Sequence, residues 1–400
     1  QRLDSYERAA ERLVENGRAY RCFCTPERLA EMRSEHKRLK QSTGYDRRCR
    51  TLHREEGQER LKAGQKCIVR FAMPTEGVTK ITDIIRGEVT YENSLIDDFV
   101  MLKSDGFPTY HLAHVVDDHA MEISHVLRAE EWLPSAPRHL QIYEALGWEP
   151  PQLAHLPIIL APDRSKMSKR HGATSALEYR ELGYLPQAMV NFLALLGWSL
   201  DDKTELFSVR ELIESFSLER ISRSGAIFNL DKFNWLNGHY IRQMTDDELA
   251  DALLDYWDRY PPKEVPELPD KTYLLRIVPM VRTRLKRLSD AAPLVPFFFQ
   301  PEAAYETADL VQKGMDADGT RSALEKAHSV LEGLASFDAE AMDGALRPLA
   351  KGLGIKVGQL FGSLRIATTG LQVSPPLFQT MEVLGRERSL AAIQDAAQRL

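Results

Sequence analysis

Apolar residues recur at helical spacing over residues 4–16, where Asp4 and Glu7 fit a capping box and Gly17 a stop. A second helix is expected from Thr25-Pro26, an N-cap followed by proline at the first helical position, through a charged stretch to about Lys40. From Cys67 to Asp118 the pattern shortens to β-rich runs at 67–73, 89–91, 99–103 and 110–116, with Asp105-Gly106 as a turn. These predict a small α+β unit. Next come an apolar run at 123–128, a helical stretch at 133–146, another apolar run at 156–160 and a polar loop at 161–174. Strand, helix, strand and loop in that order predict part of a parallel α/β sheet, with ligands outside the carboxyl ends of its strands.

Beyond Ser175 the pattern is almost wholly helical. A helix over 186–196 ends at Gly197, and Ser208-x-x-Glu211 and Thr245-x-x-Glu248 read as capping boxes. The proline-rich stretch 261–269 marks a break, after which 272–288, 321–334, 339–352 and 382–400 read as amphipathic helices of a bundle. No apolar run approaches the roughly 18 residues of a membrane span.

Composition adds a polarity to this plan. The net charge of the 400 residues is −6, yet residues 1–70 hold 18 Lys and Arg against 11 Asp and Glu. A basic end on an acidic protein suits a polyanionic partner, and equally a solvated basic surface. All four cysteines (Cys22, Cys24, Cys49, Cys67) fall in the first sixth of the chain, which argues against a disulfide scaffold and for a reducing compartment. Cys67 reads as a buried strand cysteine.

The most specific segment is Asp163-Arg-Ser-Lys-Met-Ser-Lys-Arg-His-Gly172, a loop after a strand with several cations. Lysines on flexible stems can follow charge as it moves onto a phosphate leaving group. The order Lys166-Met-Ser-Lys-Arg170 resembles the KMSKS signature loop of class I aminoacyl-tRNA synthetases. Four further segments keep the order and spacing of glutamyl-tRNA synthetases of bacterial or organellar type: Gly106-Phe-Pro-Thr-Tyr-His-Leu-Ala-His-Val-Val-Asp-Asp-His119, Val126-Leu-Arg-Ala-Glu-Glu-Trp132, Asn229-Leu-Asp-Lys-Phe-Asn-Trp-Leu-Asn-Gly-His-Tyr240 and Leu364-Arg-Ile-Ala-Thr-Thr-Gly370.

The resemblance covers essentially the whole chain and implies ATP-dependent activation of L-glutamate to an adenylate, with Mg²⁺ as helper, followed by transfer to tRNA(Glu). It implies that Lys166, Lys169 and Arg170 act on the ATP phosphates, with Lys169 foremost, and that Glu131 borders the nucleotide pocket. Tyr110 would hydrogen-bond the substrate side chain, His114 stands where the family usually has asparagine, and Arg128 would pair with a substrate carboxylate in bidentate fashion. Arg282 and Arg284 would face the anticodon, the second of them at its third base. Cys22, Cys24 and Cys49, with His53 in place of the family's nearer histidine, resemble a structural zinc site. Other members lack that site, so packing cysteines are the open alternative.

Two features set the chain apart. The family's His-x-Gly-His signature and its N-terminal substrate-binding arginine are not among these residues. Both are expected upstream of Gln1, so the chain is expected to be a fragment that does not charge tRNA by itself. Two other readings compete: a tRNA-binding paralogue without catalysis, and a metal-dependent hydrolase built on His111, His114, Asp117, Asp118 and His119.

The expected architecture is a split Rossmann-type α/β catalytic part, incomplete, over 1–20 and 107–165, with an inserted α+β acceptor-binding domain over 21–106. An all-α stem-contact region over 166–246 and an all-α anticodon-binding domain over 247–400 follow. A cytoplasmic monomer is expected, or one of the organellar matrix in a eukaryote.

Overall fold

The computed structural model describes residues 2–40, 44–168, 170, 175–300 and 303–400. The chain divides into two units: 1–166 with 196–204 and 214–227, and 167–195 with 205–213 and 228–400.

Among the described residues the first unit holds nine strands: β1 (Ala19–Cys22), β2 (Ile68–Phe71), β3 (Val78–Asp83), β4 (Gly87–Glu92), β5 (Val100–Leu102), β6 (His125–Ala129), β7 (Gln152–Leu156), β8 (Ile159–Leu160) and β9 (Ala226–Ile227). β1, β2 and β5 form an antiparallel sheet. β6 and β7 pair in parallel, and the antiparallel hairpin β3–β4 joins them through one parallel pair, Asp83 opposite Leu153, giving the order β4-β3-β7-β6. The parallel element expected from the sequence is therefore present, with its second strand at Gln152–Leu156 rather than at 156–160, whose last two residues pair with β9 instead, and it is enlarged by a hairpin that reads locally as part of a separate unit. Arg86 and Arg223 hold β9's segment against the hairpin by reciprocal bonds, Arg86 Nη1 to the Arg223 carbonyl (2.7 Å) and Arg223 Nε to that of Ile85 (2.8 Å).

One apolar core crosses the border drawn at residue 106. Val69, Phe71 and Met101 from the antiparallel sheet pack with Leu13 of helix Leu3–Glu15, Leu112 and Val115, and Ile142 of helix Ala136–Leu146. All of these are buried, and full burial of such a side chain is worth about 1.5–3 kcal/mol.

Three local expectations are corrected. Residues 110–116 are not a strand but the start of helix Tyr110–Ala120. The adjacent β-branched Val115 and Val116 suggest a strand, yet with Leu112 they complete an i, i+3, i+4 set that buries one helical face. Asp4 does not cap its helix, which starts a residue earlier with Arg2 at the N-cap. The helix expected over 272–288 stops at Val281: Pro279 has no N–H for the ladder, and the turn that follows buries Leu285 and Leu288. Other signals hold. Thr25 accepts from the Arg28 N–H at the start of Pro26–Arg38, and the boxes at Ser208/Glu211 and Thr245/Glu248 are both closed.

The described part of the second unit is helical. Around helix Leu230–Gln243 the rings of Tyr184 and Phe192 stack on Phe233, with centroids 4.1 and 4.5 Å away. The motif at 229–240 supplies the polar ties of this core. Asn237 accepts from the Leu185 N–H and donates to the Lys286 carbonyl, and the Tyr240 hydroxyl donates to the fully buried Asn191. Farther on, helices Ala317–Glu332, Ala339–Gly352, Val357–Thr369, Leu377–Leu384 and Arg386–Arg399 enclose Leu324, Leu346, Leu364, Met381 and Ile393. Gly385 separates the last two, which the pattern over 382–400 merges into one. Gly370 ends the helix carrying the 364–370 motif at φ +70°, where a Cβ would come within 2.5 Å of the Ala304 carbonyl oxygen.

Candidate active site

Arg128 lies near the carboxyl end of β6, and the register sets it directly beside His155 of β7. Its guanidinium has three side-chain partners, one on each nitrogen. Nε donates to His155 Nε2 (3.1 Å), Nη1 to the Tyr110 hydroxyl (3.3 Å) and Nη2 to His139 Nδ1 (3.3 Å). An arginine carries five N–H groups, so two remain, one on each terminal nitrogen. All three partners accept as neutral groups, and among the described residues no carboxylate forms an ion pair with Arg128. The site thus presents an oriented cation with a donor pair suited to an incoming carboxylate.

The aromatic wall of this site is continuous. Tyr110, the first residue of its helix, stacks on His114 one turn later (centroids 5.3 Å) and lies 4.7 Å from the Trp132 ring. His139 Nε2 meets His111 Nδ1 at 3.0 Å. Because Arg128 can only donate, His139 must carry its proton on Nε2 and pass it toward His111. Burial, reinforced by the nearby arginine charges, pushes His111 and His114 down to about 4 and lowers His139 as well. These rings are neutral at physiological pH. His114 is therefore a polar uncharged group, as the family's asparagine would be, rather than a titrating one.

Behind Arg128, His155 Nδ1 meets Asp83 Oδ2 at 2.6 Å, and neither side chain reaches solvent. Burial opposes ionisation of Asp83, but N–H groups of Arg86, His155 and Ile85 together with the imidazole hold its carboxyl below the usual range. Asp83, His139, Trp132 and His155 are the members that sequence reasoning misses. The available signal is a lone histidine in the apolar run of β7 and an aspartate closing the alternating strand β3.

Of the loop residues, Lys166 pairs with Glu131 in the first unit, and its side chain is 62% exposed. The turn before it is closed by Asp163, whose Oδ1 accepts from the Ser165 N–H (2.9 Å) and hydroxyl (2.7 Å). Arg170 is exposed, and Lys169, His171 and Gly172 lie outside the described residues. Of the hydrolase ligand set only His114 and Asp118 meet, Nδ1 to Oδ2 at 3.3 Å, and no third member joins them. Asp117 accepts from Tyr6 and Arg2, His119 stacks on Trp148 at 3.8 Å, and His111 and His114 turn toward His139.

Cys22, Cys24 and Cys49 do converge, with all sulfurs within 4.8 Å of one another and Cys24 and Cys49 3.6 Å apart. Zinc–sulfur bonds of about 2.3 Å in a tetrahedron put sulfurs about 3.8 Å apart, so the cluster fits that ion. His53 is not part of the group; it is the N-cap residue of helix Arg54–Lys62. The Tyr45 hydroxyl takes its place, 3.4 Å from Cys22 and 3.3 Å from Cys24, while accepting from the Cys49 N–H at 3.0 Å. A hydrogen bond from Cys49, and a further one from Tyr45, lower the Cys22 thiol from its usual range against the cost of burial. Cys67 stands just before β2 and is only partly buried.

In the second unit Arg282 is paired with Asp246, and Arg284 donates through Nη1 to the Ser374 carbonyl (2.8 Å) while its side chain stays largely exposed. Both stand in the turn after helix Lys271–Val281.

Comparison with known proteins bears on both units. The family model for the catalytic domain of class I tRNA synthetases (E and Q) matches residues 1–235, and that for an anticodon binding domain matches 248–397. The glutamate–tRNA ligase of Dehalococcoides mccartyi is 54% identical over the whole chain, which spans 81% of that relative. That of Moorella thermoacetica is 44% identical over 99% of the chain and 81% of its own length. A crystal structure of a glutamate tRNA ligase from Elizabethkingia meningosepticum, in complex with its amino acid, superposes with a TM-score of 0.86 at 31% identity, covering 100% of this chain and 83% of that one.

Proposed function

Since the chain belongs to the glutamate–tRNA ligases, class I synthetases that attach glutamate to tRNA at the expense of ATP, we propose that Arg128 and Tyr110 hold the amino acid. The carrying observation is the guanidinium fixed by three neutral acceptors, with two N–H groups and its full charge left over. In the first step a carboxylate oxygen of glutamate attacks the α-phosphorus of ATP and pyrophosphate leaves. In the second a terminal ribose hydroxyl of the tRNA attacks the activated carbonyl and AMP leaves. No protein nucleophile is needed, so the chain's work is positioning and charge stabilisation. Arg128 orients the acid, Tyr110 and His114 border it, and Glu131, Lys166, Lys169 and Arg170 attend the nucleotide.

Class I synthetases use ATP with Mg²⁺, which draws charge from the phosphates when bound. We read Cys22, Cys24 and Cys49, completed by the Tyr45 hydroxyl, as the holders of one structural zinc. Protein prepared without chelator then carries about one equivalent per chain, and Cys49→Ser loses it. Metal analysis returning none would leave the thiols as packing residues.

The remaining assignments follow the family layout. Residues 1–20 and 107–165 would be catalytic, 21–106 would take the acceptor end of tRNA(Glu), 166–246 the stem and 247–400 the anticodon, with Arg282 and Arg284 beside it. The anticodon-domain match over 248–397 supports the last of these. No helix among the described residues is long and apolar enough to cross a membrane, and we read the enzyme as a cytoplasmic monomer.

The test of the amino-acid reading is Arg128→Leu in glutamate-dependent ATP–pyrophosphate exchange. Removing one partner of a desolvated charge pair costs about 2–5 kcal/mol, so KM for glutamate should rise roughly 30-fold or more. An unchanged glutamate KM would remove Arg128 from the pocket.

A further inference from the structure

We propose that Asp83 and His155 are positioning residues for Arg128: a buried carboxylate–imidazole pair that sets the imidazole tautomer and so the direction in which the guanidinium offers its remaining N–H edge. This rests on the reading of Arg128 as the contact to a glutamate carboxylate, and extends it to two residues that touch no substrate.

The chain of constraint can be followed atom by atom. Asp83 ends β3, where the hairpin meets β7, and is 2% exposed; His155 is fully buried. Asp83 Oδ1 accepts the N–H groups of Ile85 (3.0 Å) and Arg86 (2.8 Å), and Oδ2 accepts the His155 backbone N–H (3.1 Å) and its ring Nδ1 (2.6 Å). An ionised carboxylate only accepts, so the Nδ1 position must carry the proton. A neutral imidazole then has its lone pair on Nε2, facing the Arg128 Nε–H at 3.1 Å. The other tautomer would oppose N–H to N–H at Arg128 and lone pair to carboxylate at Asp83. The neutral ring thus links a buried negative charge to the positive charge of the site without neutralising either.

Register completes the device. Arg128 and His155 are partners across the parallel β6–β7 pair, so a rigid sheet rather than a loop fixes their separation. The second strut, His139 on helix Ala136–Leu146, contacts Nη2, and the two struts together leave the planar fork little freedom to rotate. Burying a carboxylate costs several kcal/mol, and the single Asp83–Leu153 register pair shows a structural use for it, stapling the hairpin to β7. Arg128 distinguishes a staple from a positioning device. A staple supports the whole sheet, whereas a positioning device acts on the amino acid alone and only through the guanidinium.

The experiment is glutamate-dependent ATP–pyrophosphate exchange by the whole enzyme carrying Asp83→Asn, His155→Gln or His155→Leu, each alone and combined with Arg128→Lys. The glutamine amide oxygen can stand where Nε2 accepts, so His155→Gln should be milder than His155→Leu. Asp83→Asn and His155→Leu should raise KM for glutamate at least tenfold with KM for ATP within twofold, and in the Arg128→Lys background should add less than threefold. KM values for ATP and glutamate that rise together, or effects that multiply in full in the Arg128→Lys background, would make the pair a staple and overturn the proposal. Where Asp83→Asn fails to fold, the ordering of the two His155 variants decides. An unchanged glutamate KM in Arg128→Lys alone would overturn the reading of Arg128 beneath it, a result distinct from either of those.

Discussion

Two cations of this enzyme, Arg128 and Lys166, are held in opposite ways. Arg128 stands on a strand, with each guanidinium nitrogen bonded to a neutral acceptor and a buried imidazole behind it. Lys166 follows a tight turn, its side chain mostly in solvent and joined to Glu131 by an exposed ion pair. The contrast matches the two tasks proposed for them. A carboxylate that must be recognised and aimed is served by a planar fork fixed in advance, because little ordering then remains to be done on binding. A phosphate whose charge shifts during the reaction is served by a point charge on a flexible stem.

The largest expected effect lies with the signature loop. Lys169→Ala should slow adenylate formation with little change in KM for glutamate. By analogy with the loss of one oxyanion donor the cost is about 2.7–4 kcal/mol, or 100- to 1000-fold in rate. Pyrophosphate exchange within twofold of the parent enzyme would detach the loop from the phosphates.

A smaller effect separates the two sides by pH. Unfolded imidazoles take up a proton below about 6.5, whereas burial keeps His111 and His114 neutral down to about 4 in the folded protein. The unfolded state therefore binds more protons between those values. Stability should be full above about pH 6.5 and fall as the pH drops toward 4. His114→Asn should reduce the stability lost between about pH 6.5 and 4 by on the order of 1–3 kcal/mol, read from denaturant melts at several pH values. An unaltered slope would mean that the histidine cluster is not dry.

The smallest effect concerns the ion pair itself. Exposed pairs are worth about 0.2–1 kcal/mol, so Glu131→Gln should change KM for ATP by no more than about fivefold, with the difference shrinking in high salt. A loss as large as that of Lys169→Ala would show that Glu131 contacts the nucleotide directly.

What could be read in the sequence follows the same divide. The signature loop is legible because its chemistry is written in consecutive residues, and Tyr110 and Arg128 because they sit in short motifs. Asp83, His139 and His155 are far apart in the chain and meet only where β3 reaches β7 and helix Ala136–Leu146 crosses the sheet. Tyr45 replaces His53 at the thiols for a similar reason: hydrogen bonds from the cluster converge on a hydroxyl about 20 residues from the first cysteine pair, which spacing alone does not point to. Helix caps at Thr25, Ser208 and Thr245 were readable because capping is local. Residues 110–116 read as a strand because neighbouring valines favour one, until burial of the Leu112–Val116 face decides for helix.

On the reading proposed above, orientation of the Arg128 fork, and not its charge alone, recognises glutamate. Arg128→Lys keeps the charge and removes the planar fork, and its KM for glutamate in ATP–pyrophosphate exchange measures the difference directly. Losing bidentate geometry and the three anchoring bonds should raise that KM by at least tenfold, about 1.4 kcal/mol, with KM for ATP within twofold. A lysine variant with the parent KM for glutamate would show instead that charge alone suffices.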